Sequence, residues 1–219
     1  MTHRFRRASW VLVSDAHSLR QDKSNMKLQN QRYLVVFLSL LGFTTQASAE
    51  SITPDCSQLV SDFLTAPNNS KLTAMQSREE TGCWSVVGSS NMNLQRLQRA
   101  VKNGNPAAGK YLAVNLKHLD GGNLEDSLIA LGQFSETRAT SFLSFAEKGY
   151  ITNQELEDAV TMLPLSLSDD ENAQLAAMET RAKKIGEVTC DELKNQRALA
   201  LDEIRKFMSE IRVAKSHKD

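Results

Sequence analysis

The residues able to act as acids, bases, nucleophiles or ligands are few and scattered. Carboxylates gather at Asp169-Asp170-Glu171 and along Asp120-Gly121-Gly122-Asn123-Leu124-Glu125-Asp126. The first group would suit a divalent cation or paired acid–base work, but helix N-termini also collect acids, which cap free N–H groups and complement the dipole. Ser168-Asp169-Asp170-Glu171 reads as a capping box, and capping accounts for these acids. The second group has the oxygen density of a calcium loop. It lacks acids at the alternate positions and a glutamate at the closing one, so it reads as a turn followed by a helix cap. His118, beside Leu119 at a helix end, suits the negative pole of a dipole. No serine and acid stand at motif spacing around it. Gly-x-Ser-x-Gly, a phosphate-binding glycine loop and His-Glu-x-x-His are all missing from the sequence. No catalytic residue, metal ligand or cofactor is assigned. For a hydrolase assembled from distant residues, the carboxylates to examine are Glu125, Glu136 and Glu155.

The cysteines are Cys56, Cys83 and Cys190. In an oxidising compartment two of three commonly pair. Cys56–Cys83 is the preferred pair, because both lie in the irregular N-terminal third, where a staple is most useful. Cys190 stays free or serves as the alternative partner. It follows Thr189 at a helix start, where the dipole can lower a thiol pKa, yet no Cys-x-x-Cys accompanies it, which favours a structural or idle thiol. The spacings match no zinc pattern, and His118 is the only histidine between residues 50 and 216.

An oxidising compartment is what the first fifty residues imply. Met26 to Arg32 is short and basic, Tyr33 to Phe43 is apolar, and Ala47-Ser48-Ala49 puts small residues at −3 and −1 of a cut between Ala49 and Glu50. The apolar run is shorter than the roughly 20 residues that span a bilayer, so residues 26–49 read as a signal peptide. Residues 1–25 then read as a start-site artefact or a disordered basic extension, and residues 50–219 as one mature domain. That mature part holds 19 basic and 24 acidic residues. It shows no basic stripe of the kind nucleic-acid binders carry, and its charge disfavours an anionic membrane surface.

The elements that would position these groups are helical throughout. No run alternates apolar and polar residues for six positions. Thr53-Pro54-Asp55 opens a helix with Leu59, Val60, Phe63 and Leu64 on its apolar side, ended by Pro67-Asn68-Asn69. Lys71 to Ser90 is less regular, with Cys83-Trp84 covering an end of the core. Leu94, Leu97 and Val101 mark a helix closed by Asn103-Gly104-Asn105, and Pro106 opens the next, with Tyr111, Leu112 and Leu116. Leu124 to Phe134 and Ala139 to Phe145 read as two separate helices, the second closed by Lys148-Gly149. Another runs from Thr152 to Pro164, and a further one follows Ser168. Thr189-Cys190-Asp191-Glu192 reads as a second capping box, opening a long last helix over about 190–214 with a stripe of Leu201, Ile204, Met208 and Ile211. The total is eight helices at most.

Within residues 91–184 the helices partly repeat. Asn93-Leu94 with Ala100-Val101 matches Asn123-Leu124 with Ala130-Leu131, and Leu97 with Ala100-Val101 matches Leu156 with Ala159-Val160. Tyr111-Leu112-Ala113, Phe142-Leu143-Ser144 and Leu175-Ala176-Ala177 correspond in the helices that follow. These units resemble HEAT-like and other α-solenoid hairpin repeats, and the resemblance implies helical hairpins stacked to bury a shared core. The expected fold is all-α, either a short array of hairpins or a compact bundle, with the last helix as a cap.

The expected role is an exported, periplasmic (or secreted) non-enzymatic module that binds another protein. An immunity protein against a toxin acting in the periplasm is one role of that kind. Nucleic acid and stable membrane insertion after signal cleavage are not expected. The alternatives are a cell-envelope hydrolase using a carboxylate, or a lipid or small-molecule carrier with a cavity lined by Phe142, Leu143 and Phe145. N-terminal sequencing of the exported protein should begin at Glu50, and the precursor mass should correspond to a start at Met26; residues ahead of Met26 in the precursor would overturn that start.

Overall fold

The computed structural model describes residues 55–78 and 83–216. The leader, the Ala49/Glu50 cut and the Thr53-Pro54 helix opening lie outside these residues. Among the described residues the chain is all-α, with nine α-helices and no strand. They are α1 (Cys56–Thr65), α2 (Asn69–Gln76), α3 (Trp84–Gly88), α4 (Asn91–Lys102), α5 (Pro106–Asn115), α6 (Gly121–Glu147), α7 (Asn153–Thr161), α8 (Glu171–Gly186) and α9 (Lys194–Ser216).

Short polar side chains start most of these helices by accepting a first-turn N–H that has no partner in the helix. Asp55 caps α1, Asn68 α2, Ser90 α4 and Asn105 α5, where Pro106 takes the first helical position. A reciprocal capping box opens α7: the Glu155 backbone N–H donates to the Thr152 hydroxyl at 3.1 Å, and the Thr152 N–H donates to the Glu155 carboxylate at 2.6 Å. The two boxes expected from sequence do not form. Asp170, not Ser168, caps α8 through the Ala173 N–H at 2.9 Å, and Ser168 instead closes a 3-10 turn over Leu165–Leu167. At the last helix a 3-10 turn over Asp191–Leu193 precedes α9, flanked by Cys190 without a side-chain cap. Both α4 and α6 end in Schellman motifs. Gly104 (φ +76°) and Gly149 (φ +67°) take the left-handed position, and Asn105 and Tyr150 donate back to the carbonyls of Ala100 and Phe145.

Helix count departs from expectation in two places. The stretch Lys71 to Ser90, expected to be less regular, holds most of α2, which begins at Asn69, and all of α3. Leu124–Phe134 and Ala139–Phe145 belong to a single element, α6, which is 27 residues long and bends at Arg138 (φ −137°, ψ 44°). α6 is also the shared centre: α4 and α5 pack on it from one part of the chain, and α7, α8 and α9 from the other. Its apolar positions Leu128, Leu131, Phe134, Phe142 and Phe145 enter one continuous core. Within that core Phe134 stacks on Phe145 at 5.7 Å, while Tyr111 meets Phe63 and Trp84 edge-on at 5.4 and 5.7 Å.

Cys56 and Cys83 form the expected disulfide and tie α1 to the start of α3. Cys83 is fully buried with φ +61°, a conformation that costs a non-glycine residue of the order of 1–3 kcal/mol and persists where its surroundings fix it. The covalent bond to α1 and the Trp84 ring packed beside Tyr111 supply that fixing. Replacing Cys56 and Cys83 by alanine should lower unfolding free energy by about 3 kcal/mol on the loop-entropy account. Urea unfolding of the variant checks this, and a change below about 1 kcal/mol would show that the staple constrains little.

Candidate functional site: a polar cleft at the bend of α6

The bend sits next to a cation in the core. Arg181 on α8 is fully buried, and its guanidinium reaches two other helices. Its Nη1 donates to the carbonyls of Ala159, Val160 and Met162 at 3.2, 2.8 and 3.1 Å. These are carbonyls at the C-terminal end of α7, which helix geometry leaves without N–H partners. Pro164 disfavours helical backbone at the residue before it and cannot supply an N–H, so the cap has to come from elsewhere in the fold. Nε and Nη2 of Arg181 donate to Oε1 of Glu136 on α6 at 3.3 and 3.0 Å. Burial pulls the Arg181 guanidinium below the ordinary arginine value, and the charge and hydrogen bonds of Glu136 draw it back up. Arginine stays protonated at neutral pH, so the group works as a fixed cation.

The approach of α6 to α7 needs a residue without a side chain. A Cβ on Gly132 would stand 2.3 Å from the Ala159 carbonyl oxygen and 2.9 Å from Nη1 of Arg181. One turn later the helix bends. The Ser135 hydroxyl donates to the Gly132 carbonyl at 2.6 Å and the Thr137 hydroxyl to the Phe134 carbonyl at 3.2 Å. Side chains that bond back into the preceding turn are a known cause of helix bends. Nε of Arg138 donates to the Gly104 carbonyl at 3.1 Å, fixing the bend to the turn between α4 and α5.

The bend opens a cleft of about 350 Å³ lined by Glu136, Thr137, Arg138, Thr140, Ser141, Lys184 and Glu187, with Ala139 and Val188 as its apolar part. Charges of both signs and three hydroxyl groups therefore face one space. Lys184 and Glu187 pair across one turn of α8 at 3.0 Å in solvent, an arrangement worth well under 1 kcal/mol that opens easily to other partners.

The other sequence candidates are dispersed. Of the three carboxylates, Glu136 alone lines this cleft; Glu155 is held in the α7 capping box, and Glu125 is exposed on the first turns of α6. Asp120 precedes α6 without a side-chain cap bond, and Gly121 there takes φ +48°. Asp170 and Glu171 start α8, and His118 is exposed with its ring 6.5 Å from Trp84. Cys190 is free and exposed. Phe142, Leu143 and Phe145 are packed into the core and line none of the clefts described here. Arg181 was not among the sequence candidates, and nothing in its surroundings on the chain marks it.

Comparison with known protein families, curated proteins and solved structures finds no match for this chain.

Arg181→Ala should cost about 3–5 kcal/mol: Glu136 keeps some water, but the α7 carbonyls lose their donor and a fully buried side chain leaves a cavity. Glu136→Gln keeps the shape and stays partly solvated, so a loss near 1–2 kcal/mol is expected. Gly132→Ala should fall with overpacked variants, at roughly 1–3 kcal/mol or more. Equilibrium urea unfolding ranks the three; an Arg181→Ala variant no weaker than Glu136→Gln would remove the helix-capping role.

Proposed function

We propose that the mature chain is an exported, non-enzymatic module that binds another protein, and that the cleft at the α6 bend is part of the surface it uses. The observation that carries this reading is the cleft itself. It presents carboxylate, guanidinium, ammonium and hydroxyl groups on backbone held by an ion pair whose arginine is fully buried. A surface made rigid in that way loses little conformational entropy when it is covered. Export is supported by the leader-like sequence ahead of Glu50 and by the Cys56–Cys83 disulfide, which suits an oxidising compartment. No helix among the described residues is long and apolar enough to cross a membrane. The periplasm is the compartment proposed, and neutralising a toxin that acts there is one role such a module would fill.

A photo-crosslinking residue at Thr140 of the exported chain tests the reading. Thr140 is exposed and lines the cleft. The expected result is one protein crosslinked from Thr140 and lost on Arg138→Glu, with no product from the same probe at Leu165, which is exposed in the 3-10 turn over Leu165–Leu167 and lines neither cleft. Equal products from both positions, or none from Thr140, would overturn it.

A further inference from the structure

The charge of the mature chain is unevenly distributed. Residues 81–119 hold five basic residues and no acidic one, whereas residues 120–219 hold 12 basic and 19 acidic. An overall acidic balance therefore conceals a basic segment, and the absence of a basic stripe inferred from the total does not hold for α4. That helix contains Arg96, Arg99 and Lys102 at successive three-residue steps and no acid, so its cations lie along one side of the helix.

Arg96 and Arg99 line a second cleft, of about 380 Å³, between α4 and the C-terminal end of α1. Its remaining walls are Leu64, Thr65, Pro67, Ala100 and Asn103. Both arginines are exposed, and among the described residues neither has an ion pair or a hydrogen bond to satisfy it. Four other arginines are held by partners: Arg181 by Glu136, Arg138 by the Gly104 carbonyl, Arg197 by the Val188 carbonyl and Arg212 by Glu179.

The two clefts adjoin the same turn. Asn103 lines the basic cleft, and the next residue, Gly104, accepts from Arg138 of the bend cleft. Asn105 then donates to the carbonyl of Pro67, which lines the basic cleft again, at 3.0 Å. The surface thus runs from Arg96 and Arg99 past the Asn103–Asn105 turn to Arg138 without leaving this network.

We infer that the cleft formed by Arg96, Arg99, Thr65 and Asn103 is a docking site for an acidic segment of a partner protein, seated through a carboxylate on the arginine pair. The guanidinium fork matches a carboxylate in two parallel hydrogen bonds, and Leu64, Pro67 and Ala100 offer apolar contact to the residue beside that carboxylate. Nucleic acid fits less well. Trp84 and Tyr111, the large aromatics of this region, are buried and offer bases no stacking face. A long polyanion would also meet the acidic remainder of the domain. The inference extends the binding role proposed above to a second cleft and to a partner of stated charge.

Fluorescence anisotropy of the processed, exported chain tests it with a short labelled peptide of alternating glutamate and leucine. A glutamine–leucine peptide of the same length and a single-stranded DNA oligonucleotide serve as comparison probes. The acidic peptide should bind, weaken as salt rises, and weaken at least about tenfold in R96E/R99E, the usual scale for removing a charged pair from an interface. R96Q/R99Q should weaken it in the same direction, and R205E, an exposed arginine of α9, should leave it unchanged. Circular dichroism of each variant confirms that the fold is kept. Equal binding to R96E/R99E, or no binding of the acidic peptide, overturns the inference. Tighter binding of the oligonucleotide overturns it in favour of a polyanion site, and self-association lost in R96E/R99E without peptide binding does so in favour of a second copy of the chain. Crosslinking at Thr140 involves neither arginine, so the two readings fail separately.

Discussion

A guanidinium in the core is an expensive group to bury, and the geometry around Arg181 shows what makes it tolerable. Desolvating a cation costs several kcal/mol, and only good hydrogen-bond geometry offsets that. Here four acceptor atoms surround one planar group: three α7 carbonyl oxygens and a carboxylate oxygen on α6. Lysine would present a single ammonium, whereas here the acceptors are met by three different nitrogens, Nε, Nη1 and Nη2. The arrangement joins three helices at once, because its donor is on α8, its counter-ion on α6 and its other acceptors at the end of α7. It also dictates Gly132, since the α7 carbonyl and the guanidinium occupy the space a side chain would need.

The bend of α6 follows from the same junction. Up to Ser135 the helix runs against α7 and the guanidinium, and beyond Arg138 it carries Phe142 and Phe145 back into the core. A straight helix of 27 residues would extend about 40 Å at 1.5 Å per residue. Bending lets one helix serve both the α4–α5 side and the α7–α9 side. Glu136, anchored by Arg181, and Arg138, anchored by the Gly104 carbonyl, stand on either side of Thr137. Polar groups at the cleft are thus held by bonds to other parts of the fold, which is what a preorganised binding surface requires.

How much of this was legible in the sequence depends on the range of the interaction. Local signals were reliable. Pro106 at a first helical position, Gly104 and Gly149 after helix ends, and the apolar spacing of Leu94, Leu97 and Val101 all specify their own neighbourhood. Cap positions slipped where several capable residues stand in a row: Ser168, Asp169 and Asp170 are all competent, and the helix opens at the last of them. α2 was missed because its eight residues carry almost no one-sided apolar pattern; Leu72 and Met75 are buried by packing and by the nearby staple. Arg181 was illegible for a stricter reason. Three of its acceptors are backbone carbonyls, which have no side-chain identity, and its carboxylate is 45 residues away. In sequence it is one more cation on a polar helix.

Charge posed the opposite problem, since the information was present and a sum removed it. A net balance describes the field far from the molecule, beyond a Debye length of about 8–10 Å, where segregated charges blur together. Contacts form inside that distance. There, three cations at three-residue steps on α4 act as a local positive strip, whatever the acidic residues of α6 to α9 contribute further out. The same acidic remainder sharpens selectivity: it repels an extended polyanion along most of its length while leaving room for a short acidic stretch at the arginines. Recognition by a small basic cleft on an acidic body therefore favours brief, localised negative charge. This is a property of charge arrangement that composition alone does not record.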